Sequence, residues 1–303
     1  MSTTWSIVIT TRNRVAMLKR AIRSCLNQTL PSELIVVDEA SDDDTSDLVK
    51  SIPNVKYIRN ARAVGHSAAM NLGIRAATGS WIKPLDDDDW LAPNCIQEMS
   101  AAVKTAESRG FYPVLVTGAV VNVDEAEREI SRTRPLAEER VIIKSLSALE
   151  LMLVDRAPIG TPVQVGHNRE VALSVNGWNE NRRFTHQHGD EVEFWIRLIA
   201  GGDVIFLPGY IASRTIWSGG SQERIPPEER FLSNLYLKDL ICTELGIETP
   251  EAIKSYLALH WALVAARHQK FLQAARLGSR WLKHPSSAKY LFKRGAEISA
   301  MGF

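Results

Sequence analysis

Residues 5–38 read WSIVITTRNRVAMLKRAIRSCLNQTLPSELIVVD, and this stretch decides the fold class of the chain. Two short apolar runs, Ser6–Thr11 and Glu33–Asp38, flank Val15–Leu26, where the apolar residues recur at helical spacing. A strand, an amphipathic helix and a second strand form a βαβ unit, and such units build a parallel sheet. Neither run alternates cleanly with polar residues, which is typical of strands that are buried on both faces. The stretch therefore predicts an α/β protein.

The same alternation continues along the chain. Further apolar runs predict strands at Val55–Arg59, Ser80–Leu85, Val114–Val123 and Val204–Leu207. Apolar residues at helical spacing predict helices at Thr45–Ser51, Ser67–Ala77, Leu91–Ser108, Ser145–Val154, Glu170–Val175 and Val192–Ala200. Residues 124–188 are otherwise polar and irregular, and the pattern is helical from Pro226 onward. We therefore expect an α/β domain over 1–220 and a helical region over 221–303.

The composition is that of an ordinary globular protein. Of the 303 residues, 45% are hydrophobic and 23% are charged, and 36 Lys and Arg nearly balance 35 Asp and Glu. This balance argues against a global field that would recruit nucleic acid. The three cysteines are far apart in the sequence, so we expect buried thiols in a reducing compartment. No apolar stretch has the length of a signal-peptide core or a membrane span, so we expect a cytoplasmic protein.

The near-neutral total conceals a basic C-terminal region. Residues 254–303 carry nine Lys or Arg and one acid, a net charge of +8, which leaves −7 for residues 1–253. Aromatic residues such as Trp281 and Phe292 lie among these cations. One interpretation is a helix that contacts the anionic inner face of a membrane. The other is a solvated face that packs on the acidic body or on a second subunit.

Polar residues follow three of the predicted parallel strands. Thr10, Thr11 and Arg12 come at the end of the first strand, Asp38 ends the second, and residues 86–89 follow the fourth. Open α/β sheets bind ligands beyond the carboxyl ends of their strands, so these residues define a predicted site. No glycine-rich loop follows the first strand, which counts against a dinucleotide fingerprint and against a phosphate-binding P-loop.

The aspartate quartet (Asp86–Asp89) places four like charges side by side, and this repulsion needs an offset. A solvated surface turn is one interpretation. Against it, the quartet ends an apolar strand and is followed by Trp90, Leu91 and Pro93, which bury its flank. Mg²⁺ and Mn²⁺ prefer carboxylate oxygens, and Mg²⁺ commonly combines them with substrate phosphates. We therefore favour a divalent-cation site.

Five segments resemble, in order, the motifs of family 2 glycosyltransferases of the GT-A fold. They are 6–14 (SIVITTRNR), 33–42 (ELIVVDEASD), 69–74 (AMNLGI), 85–90 (LDDDDW) and 189–198 (GDEVEFWIRL). Each motif alone is weak, but five in order are specific, and the resemblance extends over about 1–217, two thirds of the chain. It implies a Rossmann-like, mostly parallel sheet flanked by helices, with the C-terminal helices as an appendage.

The resemblance also implies roles on the donor side of the site. Asp38 would accept a hydrogen bond from the pyrimidine ring of a nucleotide, and the alternative is a turn or helix N-cap aspartate. Asp88, together with Asp86, would hold a Mg²⁺ or Mn²⁺ ion that bridges the donor diphosphate. Asp86 or Asp87 would contact the ribose or a metal-bound water, and we expect Asp89 to be structural. The other donor-binding residues implied are Thr10, Thr11, Arg12 and Asn71.

A further implied group is the base that takes a proton from the acceptor. By position this is Glu191, with Asp190 as its rival, because relatives usually have Glu before Asp and this chain has the reverse order. Both residues lie at the start of a predicted helix, whose dipole favours the ionised form that a base requires. The alternative is that Asp190 caps the helix and Glu191 faces solvent. Glu193 and Arg197 are four residues apart and are expected to pair.

Three departures from the family pattern affect the donor site. Arg12 stands where relatives often carry an aromatic residue that stacks on the base, although a guanidinium also stacks. Met70 stands where relatives often have an arginine near the diphosphate. Residues 213–218 lack the histidine that ligates metal in some relatives. Three histidines lie in candidate site loops, with surface or hydrogen-bonding roles equally open: His66, His186 and His188.

The resemblance implies an inverting glycosyltransferase that moves a sugar from a nucleotide-diphosphate donor, with UDP preferred, to an acceptor hydroxyl. The expected acceptor is a carbohydrate or a lipid-linked molecule in polysaccharide, glycolipid or glycoconjugate synthesis for the cell envelope, and nucleic acid is not an expected partner. Two other classes stay open. A sugar-1-phosphate nucleotidylyltransferase would need a glycine-rich basic triphosphate loop, which the N-terminal region lacks. A non-catalytic nucleotide-sugar-binding or scaffold protein is the alternative that the departures at Met70 and Glu191 raise.

Overall fold

The computed structural model describes residues 3–157, 159–181, 189–217, 227–267 and 269–281. His186, His188 and residues 282–303 of the basic C-terminal region lie outside these described residues. The chain divides into two compact units. The first consists of residues 1–145, 159–185 and 190–219, and the second of residues 146–158, 186–189 and 220–303.

The secondary structure alternates between strands and helices before it becomes helical. The strands are β1 (Trp5–Thr11), β2 (Glu33–Asp38), β3 (Val55–Arg59), β4 (Trp81–Asp86), β5 (Trp90–Leu91), β6 (Pro113–Val123), β7 (Glu129–Arg132), β8 (Val141–Ile143), β9 (Val165–Asn168) and β10 (Asp203–Thr215). The helices are α1 (Val15–Leu26), α2 (Thr45–Lys50), α3 (His66–Ala76), α4 (Cys95–Ser108), α5 (Ser145–Leu153), α6 (Arg169–Ser174), α7 (Asp190–Ala200), α8 (Pro227–Glu244), α9 (Glu251–Arg267) and α10 (Phe271–Trp281).

One mixed β-sheet organises the first unit. Its strands follow the order β3-β2-β1-β4-β9-β6-β10-β5, with β7 paired to β6 and β8 paired to β10. The strands β1 to β4 pair in parallel, and β10 runs parallel to β6. Between β4 and β6, β9 is antiparallel to both neighbours. The sheet with its surrounding helices confirms the predicted α/β class.

The parallel strands are buried, as their uninterrupted apolar pattern predicts. Every residue of β1 is buried. Helix α3 packs very close to this strand at Gly73, where a Cβ atom would lie only 2.2 Å from Cγ1 of Val8. The close approach requires a residue without a side chain. It also brings the first residue of α3, His66, to the end of β1, where it contacts Thr10.

The structure corrects the extent of several predicted elements. The helix predicted at Leu91–Ser108 begins at Cys95, because the two residues of β5 pair with β10. The strand predicted at Val204–Leu207 is only the start of β10, which continues through register irregularities between residues 206 and 212. Residues 124–188, predicted as irregular apart from two short helices, also contain β7, β8 and β9.

The second unit is helical in its described residues. Helices α8, α9 and α10 confirm the helical pattern predicted beyond Pro226 as far as residue 281. Within this unit, the buried Lys238 of α8 forms an ion pair with Asp155, with 2.6 Å between Nζ and Oδ1, and donates to the carbonyl of Met152. These bonds join α8 to the end of α5. None of the described helices is both long enough and apolar enough to cross a membrane.

Candidate active site

The carboxyl ends of β1, β2 and β4 meet at one edge of the sheet. In the strand register, Thr10 lies beside Asp86 of β4, and Thr11 lies beside Asp38 of β2. Adjacent parallel strands end on the same side, so residues that are distant in sequence become neighbours. The structure therefore brings the predicted donor residues of three strands together.

The four carboxyl groups of the aspartate quartet have different partners. Asp86, Asp88 and Asp89 each offer a carboxylate oxygen, and these atoms lie within 4.8 Å of one another. Asp87 is buried, and its two oxygens accept hydrogen bonds from Thr11 at 2.7 Å and from Arg14 at 2.8 Å. Asp87 therefore ties the quartet to the end of β1, and the other three carboxylates form a cluster that could hold a cation.

Burial and mutual repulsion disfavour ionisation within this cluster. Burial raises the pKa of Asp86 to about 6. The charge of His66 lowers this pKa, and the charges of Asp88 and Asp87 raise it further. Burial and the charges of Asp88 and Asp86 raise the pKa of Asp89 well above its usual range. A divalent cation would offset the repulsion, and hard carboxylate oxygens are the ligands that Mg²⁺ and Mn²⁺ prefer. The donor set fits the ion that the family resemblance implies.

Arg20 and Thr215, at the end of β10, form hydrogen bonds with the last two residues of the quartet. Arg20 of α1 donates to the carbonyl of Asp88 at 2.6 Å and to the hydroxyl of Thr215 at 2.9 Å. Its guanidinium lies 4.0 Å from the centre of the Trp90 ring. The N–H of Thr215 donates to Oδ1 of Asp89 at 2.8 Å, so Asp89 has a structural bond in addition to its place in the cluster. These contacts fix the turn between β4 and β5.

Asp38 is fully buried at the end of β2. The N–H of Ser41 donates to its Oδ1 at 2.9 Å, and the Tyr57 hydroxyl donates to its Oδ2 at 2.5 Å. Arg59 lies 3.6 Å from the same Oδ2. The Ser41 bond is the turn geometry anticipated as the alternative role of Asp38. An ionised carboxylate has about four acceptor sites, so these bonds leave capacity for a ligand.

Asn71, predicted to bind the donor, has other partners in the structure. It is buried, and its Nδ2 donates at 2.8 Å to both the Trp178 carbonyl and Glu180. Its Oδ1 accepts from the N–H of Trp178 at 2.8 Å. Both ends of the amide therefore hold the loop that follows α6. Met70 beside it is fully buried, whereas Arg12, on the loop after β1, is exposed.

His66, for which the sequence left a site role and a surface or hydrogen-bonding role open, makes a hydrogen bond at the site. Its Nδ1 lies 3.1 Å from Oγ1 of Thr10, and its ring packs edge-on against Trp178 with 5.3 Å between ring centres. Its charge is the largest influence that lowers the pKa of Asp86. His66 therefore links the end of β1 to the quartet.

The two predicted base residues lie at the start of α7, and one of them bonds to the first turn of α3. Ser67 donates through its hydroxyl to Oδ2 of Asp190 at 3.1 Å. Burial raises the pKa of Glu191 well above its usual range, with further contributions from a hydrogen bond to Asp190, the charge of Asp190 and the charge of Asp86. Glu191 therefore keeps its proton to a higher pH than an ordinary glutamate. The influence of Asp86 places this pair within electrostatic reach of the donor residues.

Arg197 holds α7 in this position. Arg197 lies 2.7 Å from Glu193, which confirms the pair predicted from their spacing. Arg197 also donates to the carbonyls of Val175 and Gly177. The last turn of α7 is thereby attached to the segment after α6.

Arg14, Arg20, Ser67 and Trp217 complete the site and were not assigned roles from the sequence. The indole N–H of Trp217 donates to Oδ2 of Asp88 at 3.0 Å. Arg14 and Arg20 had a usable signal, since four adjacent aspartates need counter-charges and both arginines lie close to the first strand end. Ser67 and Trp217 had none, because their partners are more than 120 residues away in the sequence.

Comparison with known protein families gives the family of the chain. The model of glycosyl transferase family 2 matches residues 6–158, just over half of the chain. The chain belongs to glycosyl transferase family 2. This confirms the predicted family and the predicted enzyme class, a glycosyltransferase.

Individual relatives of this family 2 glycosyltransferase differ in their sequence identity to the chain and in how much of it they cover. Uncharacterized protein MT1568 of Mycobacterium tuberculosis is 26% identical over 286 residues, which cover 92% of the chain and 87% of the relative. The GalNAc(5)-diNAcBac-PP-undecaprenol beta-1,3-glucosyltransferase of Campylobacter jejuni is 33% identical over 117 residues, which cover 37% of the chain and 38% of that relative. The crystal structure of S. aureus TarS 1–349 in complex with UDP-GlcNAc has a TM-score of 0.63 at 16% identity, over 85% of this chain and 71% of that one. The structural likeness confirms the GT-A fold.

Proposed function

We propose that this glycosyltransferase transfers a sugar from a nucleoside-diphosphate sugar, with UDP as the preferred nucleotide, to an acceptor hydroxyl with inversion. The observation that carries the proposal is the convergence of Asp38 and the quartet at one edge of the sheet, with Asp190 bonded to Ser67 beside His66, which contacts Thr10 at the same edge. The donor residues lie at the ends of strands, whereas Asp190 and Glu191 lie at the start of α7. TarS, which is similar in fold, was crystallised with UDP-GlcNAc, and this supports a UDP-sugar donor.

We assign the metal-binding role to Asp88 and Asp86. Their carboxylate oxygens, with that of Asp89, form the cluster within 4.8 Å. Mg²⁺ or Mn²⁺ held there would act as a Lewis acid that neutralises charge on the departing diphosphate. Thr11 and Arg14 position the quartet through Asp87, so Asp87 supports the donor site by placing its neighbours.

Glu191 is assigned as the general base and Asp190 as its partner. In its deprotonated form, Glu191 takes the proton of the acceptor hydroxyl while the hydroxyl oxygen forms a bond to the anomeric carbon of the sugar. The bond from that carbon to the diphosphate oxygen breaks, and the nucleoside diphosphate leaves with the electron pair. A single displacement of this kind inverts the configuration at the anomeric carbon. The Ser67 hydroxyl, bonded to Asp190 at 3.1 Å, orients the partner carboxylate.

The proposed acceptor is a carbohydrate or a lipid-linked glycan in polysaccharide or glycoconjugate synthesis. The Campylobacter relative is named as a glucosyltransferase that acts on an undecaprenol-linked glycan, and this supports the acceptor class. We place the protein at the cytoplasmic face of a membrane. Phe271 and Leu272 are 69% and 80% exposed and follow the exposed Lys270, a combination that suits an anionic lipid surface.

Vesicle binding tests the membrane part of this proposal. Sedimentation with anionic vesicles should retain the wild-type protein, and a double change of Phe271→Ser and Leu272→Ser should weaken retention at unchanged melting temperature. Equal retention of both proteins, or none of either, would contradict it. Uncharged vesicles serve as the control for the contribution of the basic residues.

Donor turnover tests the catalytic part. The protein should release UDP from a UDP-sugar in the presence of Mn²⁺ and transfer the sugar when a suitable acceptor is supplied. A panel of nucleoside diphosphates with Mn²⁺ in a thermal-shift assay identifies the nucleotide, and the largest stabilisation is expected with UDP. Binding without any release of diphosphate would indicate a non-catalytic nucleotide-sugar-binding protein. Release of pyrophosphate from a nucleoside triphosphate would indicate a nucleotidylyltransferase.

A further inference from the structure

The side chains of Trp217 and Arg14 meet at the carboxylate of Asp88. The indole N–H of Trp217 donates to Oδ2 at 3.0 Å, and Nη1 of Arg14 lies 3.5 Å from the same oxygen. The guanidinium of Arg14 also lies 5.1 Å from the centre of the Trp217 ring. Each of the three residues therefore contacts the other two, although Trp217 is 129 residues away from Asp88 in the sequence.

Arg14 has a second anchor that does not involve Asp88. The same Nη1 donates to Oδ1 of Asp87 at 2.8 Å, a shorter and stronger contact than the one to Asp88. Arg14 can therefore release Asp88 and remain attached to the quartet through Asp87. Its side chain is 39% exposed, so the released guanidinium has access to solvent or to an anionic ligand.

Two other cations that the structure describes near the quartet, Arg20 and Lys83, bond to groups other than the Asp88 carboxylate. Arg20 contacts Asp88 through the backbone carbonyl, and Lys83 donates to the carbonyls of Pro84 and Pro162. Among the described residues, Arg14 is the cation whose ion pair reaches the carboxylate oxygen of Asp88. A divalent ion bound by Asp88 would need this oxygen or its neighbour, and two cations at one carboxylate repel each other.

We propose that Arg14 and Trp217 form an internal clasp on Asp88 that a divalent cation must open, so that Arg14 acts as a competing counter-cation and lowers the affinity for free metal. The inference rests on the metal-binding role proposed above for Asp88. Opening the clasp frees the indole N–H of Trp217 and leaves the Arg14 guanidinium bound to Asp87. A diphosphate that arrives with the metal offers the freed guanidinium a new anionic partner, so metal and donor bind cooperatively.

Metal titration of the full chain without donor tests the clasp. Mn²⁺ affinity, measured by electron paramagnetic resonance of the free ion, should rise roughly threefold to tenfold in Arg14→Gln, because a partly exposed ion pair at this distance is lost. Arg14→Lys keeps the charge and should stay close to the wild type. Arg23→Gln removes a like charge at an exposed position of α1 and is the matched control with unchanged affinity.

Trp217 supplies a readout that does not depend on Arg14 being replaced. The indole loses its bond to Asp88 when the clasp opens, so Mg²⁺, which does not quench fluorescence, should change the tryptophan emission. Trp217→Phe should abolish this change, although seven other tryptophans remain. It should also raise Mn²⁺ affinity, by less than Arg14→Gln does, because the substitution removes a neutral donor rather than a charge.

The outcomes separate failure of the clasp from failure of the metal role. Unchanged or weaker Mn²⁺ binding in Arg14→Gln, or a Mg²⁺ response that survives Trp217→Phe, would overturn the clasp if Asp88→Asn still abolishes metal binding. If Asp88→Asn binds Mn²⁺ as the wild type does, the metal role of Asp88 is wrong and the clasp falls with it. Cooperativity between UDP and Mn²⁺ should be smaller in Arg14→Gln, and equal cooperativity would contradict the role of the freed guanidinium.

Discussion

Replacement of Glu191 by glutamine is the most informative single change, because it removes the titratable proton and preserves the size of the side chain. General base catalysis typically contributes about 10²–10⁴-fold to a rate. We therefore expect kcat to fall by a factor in that range. Donor affinity should be unchanged, since the donor residues lie at the ends of β1, β2 and β4, whereas Glu191 lies at the start of α7.

The same change should stabilise the protein at neutral and alkaline pH. The pKa of Glu191 in the folded state is well above the ordinary value of 4.5. Stability from this group is therefore fully present below pH 4.5 and is lost as the pH rises through the folded-state pKa. Glutamine never ionises and can still donate to Asp190, so Glu191→Gln should melt at a higher temperature than the wild type, and the difference should disappear in acid.

Glu193→Gln is the matched control in the same helix. It breaks the 2.7 Å ion pair to Arg197, whose guanidinium is largely buried. The expected loss is about 1–3 kcal/mol, which lowers the melting temperature by roughly 2–10 °C. Its kcat should fall far less than that of Glu191→Gln. Release of UDP at saturating donor and acceptor measures kcat, and calorimetric melts across the pH range measure stability.

Two results would refute the assignment. Near-normal kcat in Glu191→Gln, together with loss of turnover in Asp190→Asn, would move the base to Asp190. The pH profile is an independent check, because the base works only when it is deprotonated. The acidic limb of kcat/KM should have its midpoint above 4.5, the ordinary value for glutamate, and a midpoint at or below that value would contradict the raised pKa.

Three further predictions concern the quartet and the core. Asp88→Asn should abolish the Mn²⁺-dependent part of UDP binding, as measured by calorimetry with and without the metal, and full retention would contradict its role. Gly73→Ala should destabilise the fold by roughly 1–3 kcal/mol in a urea titration, because the added Cβ would lie 2.2 Å from Val8. Burial lowers the pKa of Lys83 from 10.5 to about 8. The cost of burying the protonated amine therefore reduces the stability of the fold fully below pH 8 and no longer above pH 10.5. Wild-type stability should therefore rise between these values, by comparison with Lys83→Met at the same pH.

Much of the first unit follows from local pattern. The bounds of β2, β3 and α1 agree with the sequence prediction to the residue, because uninterrupted apolar runs and helical spacing are strong signals. Residues 124–188 were predicted less well. There, β9 is only four residues long, and its position in the sheet is set by pairing with both β4 and β6. No local sequence pattern contains this pairing.

The sequence by itself determined which acids gather at the site, since parallel strands must end on one side of the sheet and Asp38 and the quartet stand at those ends. Only the tertiary structure decided what each carboxylate and amide does. Asp87 bonds to Thr11 and Arg14, Asn71 holds the loop after α6, and Trp217 reaches Asp88 from the end of β10. The end of a strand can be located from the local apolar pattern, whereas hydrogen-bond partners depend on the register and packing of segments that are far apart in the chain.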